Sequence, residues 1–84
     1  MRNYLITFRS VTFAQKAQRI LQRAGILCGL QRTPKELSRR GCGYCLRLRP
    51  NEILSARNLL EAEGVEYGKC YAVREDGSME EVSV

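Results

Sequence analysis

Between Asn3 and Arg9 the apolar residues Tyr4, Ile6 and Phe8 recur at every second position, on one side of an extended segment. That period of two is the signature of a strand with one buried face. The period then lengthens. Phe13, Ala17, Ile20, Leu21 and Ala24 recur at helical spacing, Thr12 with Gln15 reads as a capping box, and Gly25 supplies a left-handed stop. Residues 26–31 return to a strand pattern.

Thr33-Pro34-Lys35-Glu36 combines a capping threonine, a proline at the first helical position and an early glutamate, predicting a short helical turn that ends near Arg40-Gly41. Residues 42–49 predict a third strand. Pro50 and Asn51 open a second long helix carrying Ile53, Ala56, Leu59 and Leu60 and closed by Gly64, and residues 65–74 predict a fourth strand. Asp76-Gly77 marks a turn, after which the acidic end forms a small hairpin or stays mobile.

The two halves echo each other at an offset of 39 residues: Ala17-Ile20-Leu21-Gly25-Ile26 corresponds to Ala56-Leu59-Leu60-Gly64-Val65. The order β-α-β-β-α-β predicts an α+β fold of ferredoxin-like type, a four-stranded antiparallel sheet with both helices on one face. The other face would be open to water, to a partner or to a second copy in a homodimer. Nothing divides the 84 residues, so one domain is expected, its ordered core over about residues 3–74.

Composition narrows the setting. A hydrophobic fraction of 44% and a charged fraction of 27% are ordinary for a water-soluble globular chain. No apolar run approaches the roughly 20 residues of a membrane span, and Arg9 interrupts the N-terminal apolar stretch too early for a signal peptide. Four cysteines in such a setting are expected to be reduced thiols of a cytoplasmic protein. Residues 1–50 hold eleven basic side chains and one acid, whereas residues 51–84 hold three basic and eight acidic ones. Either a basic surface is offered to an anionic partner or the halves interleave and neutralise each other.

The chemical interest falls on Arg39-Arg40-Gly41-Cys42-Gly43-Tyr44-Cys45. A thiol becomes a nucleophile when positive charge stabilises its thiolate, and Arg39 and Arg40 precede Cys42 across Gly41 while Arg47 and Arg49 follow. Gly43 leaves room for a partner to approach. Cys45 is either a resolving thiol or a packed side chain. In a strand, residues three apart face opposite sides, with Cα atoms too far apart for a disulfide unless the chain bends at Gly43. Cys28 and Cys70 read as small buried hydrophobes. With one Cys-x-x-Cys pair, two isolated cysteines and no histidine, an intrachain zinc or iron–sulfur site is not expected.

Conventional catalysis finds no general base, nucleophile–base pair or phosphate loop, so an enzyme with its own turnover is not expected. Nucleic-acid binding is the competing class. Arg40-Gly41-Cys42-Gly43-Tyr44 partly matches the third strand of the RNA-recognition fold. Strand parity opposes that reading, because Tyr44 shares a face with Leu46 and Leu48, and exposing it would bury Arg47 and Arg49. An interaction domain with inert cysteines is the third reading.

Over roughly residues 3–72 the chain resembles the selenium/sulfur carrier-like proteins of bacteria. The resemblance rests on Tyr4-Leu5-Ile6-Thr7-Phe8 with Ser10, on Ala24-Gly25-Ile26, on Thr33-Pro34-Lys35-Glu36-Leu37-Ser38, and on Cys42-Gly43 leading into Leu46-Arg47-Leu48. It implies that Cys42 carries sulfur or selenium as a persulfide or selenopersulfide, taken from a donor protein and given to an acceptor. Arg39 and Arg40 would stabilise the anion, and Lys35, Arg47 and Arg49 would help dock an acidic partner. No bound cofactor is needed on that account.

Overall fold

In the computed structural model, residues 3–37 and 43–82 are described. Their elements are β1 (Asn3–Phe8), α1 (Val11–Arg23), β2 (Cys28–Arg32), β3 (Tyr44–Leu48), α2 (Ile53–Ala62), β4 (Cys70–Val73) and β5 (Met79–Val82). The protein is α+β, with both helices and one antiparallel sheet ordered β2-β3-β1-β4-β5.

The expected four-stranded sheet is therefore corrected to five. The acidic end takes the hairpin alternative, because Gly77 at φ +88° allows the reversal and Arg74 exchanges backbone hydrogen bonds across it, donating to Ser78 O at 2.8 Å and accepting from Gly77 at 2.9 Å. Asp76 Oδ1 accepts from the Ser78 N–H at 2.9 Å, and ion pairs Arg74–Glu80 and Lys69–Glu81 join the residues flanking β4 to β5. Five of the acidic end's residues are thus held by local polar contacts rather than by apolar periodicity, with Val82 packed against the core.

Helix α1 starts earlier than the Thr12–Gln15 pair suggests. Ser10 is the cap, its Oγ accepting from the Phe13 N–H at 3.4 Å, and the buried stripe is Ala14, Ala17 and Leu21, with Phe13 exposed. Both helices end in the same way. Ile26 and Val65 donate back to Leu21 O and Leu60 O at 2.9 Å, with Gly25 (φ +81°) and Gly64 (φ +71°) in the left-handed region. The 39-residue echo in the sequence is this shared stop together with the paired core positions Ala17/Ala56 and Leu21/Leu60.

The core lies between the helices and one sheet face. Ile6 and Phe8 of β1, Leu46 and Leu48 of β3 and Cys70 of β4 meet Ala14, Ala17, Leu21, Ile53, Ala56 and Leu60. The predicted fourth strand is shortened. Residues 65–69 leave regular pairing because Thr7 clamps them: Gly68 donates to Thr7 O at 2.7 Å, Thr7 donates to Lys69 O at 3.0 Å, and the Lys69 N–H reaches Thr7 Oγ1 at 2.9 Å. A Cβ on Gly68 would stand 2.5 Å from Thr7 Oγ1, so this close approach requires glycine.

Candidate functional site

The β2–β3 pair carries the cysteine segment. Its register ends at Arg32 opposite Tyr44, and Tyr44 is in turn opposite Phe8 of β1. One residue beyond the last rung, the Thr33 N–H donates to Gly43 O at 3.1 Å. The residue that follows Cys42 is thereby tied to the sheet. Pro34 begins a tight turn over Lys35–Leu37, closed by Leu37 N–H to Pro34 O at 2.9 Å. Arg39, Arg40 and Cys42 lie outside the described residues, as does the expected end of that turn near Arg40-Gly41.

Parity on β3 falls as expected. Tyr44, Leu46 and Leu48 face the helices, while Cys45 and Arg47 belong to the opposite face. The Arg32 guanidinium lies over the Tyr44 ring, 5.8 Å from its centroid. Arg32 was not among the residues the sequence singled out, and it joins the Gly43 end only through the register. Arg9 and the capped start of α1 lie at this same end, because β1 finishes at Phe8 opposite Tyr44. The first turn of α1 contains no acid, so its unpaired N–H groups add to the positive potential there.

Arg47 and Arg49 do not share that end. They stand four and six residues past Gly43 along an extended chain, about 13 and 20 Å away. Lys35, exposed in the turn after Pro34, belongs to the Gly43 end instead. The predicted binding set is thus divided between two ends of one strand.

The three described thiols are free and sequestered to different degrees. Cys45 is completely buried, Cys70 is buried and Cys28 is half-buried. Burial pushes all three upward from the ordinary thiol value; Glu52 pushes Cys28 further. At Cys45 the Thr33 hydroxyl, the Arg47 charge and the Gln31 side chain oppose the rise without cancelling it. Thr33 Oγ1 is buried and has no partner while that thiol is neutral, and it is placed to donate once the sulfur ionises. The Cys45 sulfur itself reaches Arg32 O at 4.0 Å. A nucleophilic thiolate at rest fits none of the three.

The helix-free face offers little for stacking bases. Among the described strand residues on that face the single aromatic ring is Tyr71, beside Leu5 and across from Glu81. Among the described residues no group of three or more histidine, cysteine or acidic side chains is arranged to hold a metal ion, and no helix is long and apolar enough to cross a membrane.

Residues 3–72 match the family described as "Putative Se/S carrier protein-like". The chain belongs to this family. The match takes in β1 through the middle of β4, so the β5 hairpin lies beyond it, while Cys42, Gly43 and the Thr33–Gly43 tie lie within it. Comparison with curated proteins and with solved structures returned no match.

Proposed function

We propose that this carrier-like chain holds sulfur or selenium on Cys42 and hands it between proteins. The Cys42 thiolate attacks the outer sulfur of a donor protein's persulfide. A new S–S bond forms, the donor's S–S bond breaks, and the donor cysteine leaves as a thiolate. In delivery, an acceptor nucleophile attacks the outer atom and Cys42 leaves as the thiolate. A selenopersulfide follows the same course with selenium as the outer atom. Neither step needs an outside oxidant or reductant, so carriage is stoichiometric and the protein has no turnover of its own.

The observation that supports this reading most is the contrast among the thiols within the family match. Cys28, Cys45 and Cys70 sit where burial disfavours the thiolate. Cys42 adjoins a residue fixed to the sheet end that also bears Arg9, Arg32 and the start of α1. Arg39 and Arg40, two and three residues before Cys42 in the chain, would add charge to the same anion, and Lys35 would meet an acidic partner. Cys45, buried and neutral at rest, is a packed side chain on this account and not a resolving thiol. Cytoplasmic placement follows from the need for reduced thiols.

Alkylation rates measured against pH test the proposal. Cys42 should react as a thiolate well below the ordinary thiol range while the other three react slowly. Equal rates at all four cysteines would remove its basis.

A further inference from the structure

The arginines that the cysteine site leaves aside form a feature of their own. Arg47, Arg49, Asn3, Leu27, Cys28, Gly29 and Leu48 line an open cleft of about 260 Å³ at the far end of β3. The register explains its shape. Arg47 stands between Gly29 on β2 and Leu5 on β1, and Arg49 lies one position beyond the rungs that join Leu48 to Cys28 and to Tyr4. Gly29 puts no side chain beside Arg47, and a Cβ there would meet nothing within 4 Å. The glycine leaves a floor beside β3, from which both arginines project.

The two arginines of this cleft form no ion pair among the described residues, and both are exposed. Glu81 shares the sheet face but stands three strands away and pairs with Lys69. Glu52, the nearest acid in the chain, lies close enough to Cys28 of the cleft lining to raise its thiol. It forms no ion pair with either arginine among the described residues. Cys28 directs its sulfur toward Gln18 O of α1 at 4.0 Å, so its thiol turns away from the arginines.

We propose that this cleft is a binding subsite for a tetrahedral oxyanion of the phosphate class, separate from the cysteine end. One carboxylate is saturated by a single bidentate arginine, and two unpaired guanidinium groups around one concavity suit a dianion with three or more oxygens. Asn3 also lines the cleft, and its side-chain amide can donate. The volume is below that of drug-sized ligand pockets, so the recognised part is the oxyanion itself, either free or at the end of a small phosphorylated molecule.

Nitrogen–proton correlation spectra of the full chain, titrated with inorganic phosphate and separately with phenyl phosphate, test it. Saturable shifts at the Gly29, Arg47 and Arg49 amides are expected, weakened about tenfold or more in either Arg47→Gln or Arg49→Gln through loss of charge-assisted hydrogen bonds. Tighter saturation by the monoester assigns a phosphorylated small molecule, and equal saturation assigns the free anion. Shifts that acetate or chloride reproduce at equal ionic strength, or that survive in the double variant, would overturn the proposal. So would stronger saturation by a single-stranded oligonucleotide. Circular dichroism confirms that the variants fold, and Cys42→Ser should bind phosphate unchanged, so failure here leaves the carrier reading intact.

Discussion

Thr33 donates its backbone N–H to Gly43 O at 3.1 Å, one residue past the last rung of the β2–β3 ladder. That bond anchors the chain directly after Cys42. The side chain of Thr33 has a different part, because its hydroxyl is buried and unpartnered. Thr33→Val should therefore change stability by no more than about 1 kcal/mol in urea unfolding, since it removes an unsatisfied polar atom and keeps the shape. It should also push the Cys45 thiol further upward, because a donor to its thiolate is lost. A drop of several kcal/mol would mean that the hydroxyl has a structural partner.

The approach of Gly68 to Thr7 predicts a sharp intolerance. Gly68→Ala places a methyl 2.5 Å from Thr7 Oγ1 and 3.1 Å from Thr7 O. We expect a loss of roughly 1–3 kcal/mol in chemical denaturation. Adding Thr7→Ala should not restore wild-type stability, because the backbone oxygen still crowds the new methyl and the Lys69 hydrogen bond is gone.

The core predicts larger effects. Leu60 and Leu21 are fully buried where α2 and α1 meet the sheet. Leu60→Ala should cost about 2–5 kcal/mol, a large share of the stability of so small a domain, read as a lowered urea midpoint at unchanged slope. Leu54→Ala, at an exposed position on the same helix, should stay within about 0.5 kcal/mol.

Alkaline pH should destabilise the fold. Cys28, Cys45 and Cys70 are raised above 9.0, and Tyr67 is pushed up to about 12, first by desolvation and then by Glu61, to which it donates at 2.7 Å. A raised value means that the folded chain keeps protons which the unfolded chain releases. The associated stability is whole below the unfolded thiol value and declines as pH rises through 9 and onward toward 12. Denaturation midpoints measured from pH 8 upward should fall, and Tyr67→Phe should flatten the upper part of the curve.

Much of the fold was legible because its signals are local. The left-handed stops at Gly25 and Gly64, the apolar faces of β1 and β3, and the parity that sends Arg47 outward follow from period and turn chemistry. What escaped depends on distant partners. Residues 65–69 have strand-like composition, but Thr7, more than sixty residues earlier, pulls them out of the ladder. β5 has two adjacent glutamates where a strand pattern would alternate, and its ion pairs with Arg74 and Lys69 hold it in the sheet.

The candidate site was legible in the same uneven way. The Cys42-Gly43 motif stands in the sequence, and so do the arginines around it. Their division does not, because Arg47 and Arg49 appear close to Cys42 in the chain, whereas extension along β3 carries them away. Arg32 enters from the paired strand, over Tyr44, which only the register reveals.

The central claim is that Cys42 alone carries the sulfur. Incubating the protein with a persulfide-loaded cysteine desulfurase and recording the intact mass tests it most directly. The wild type and Cys45→Ala should each gain one sulfur atom, located on Cys42 by fragmentation, and Cys42→Ser should gain none. A wild-type mass that stays unchanged, or sulfur found on Cys28, Cys45 or Cys70, would contradict the account.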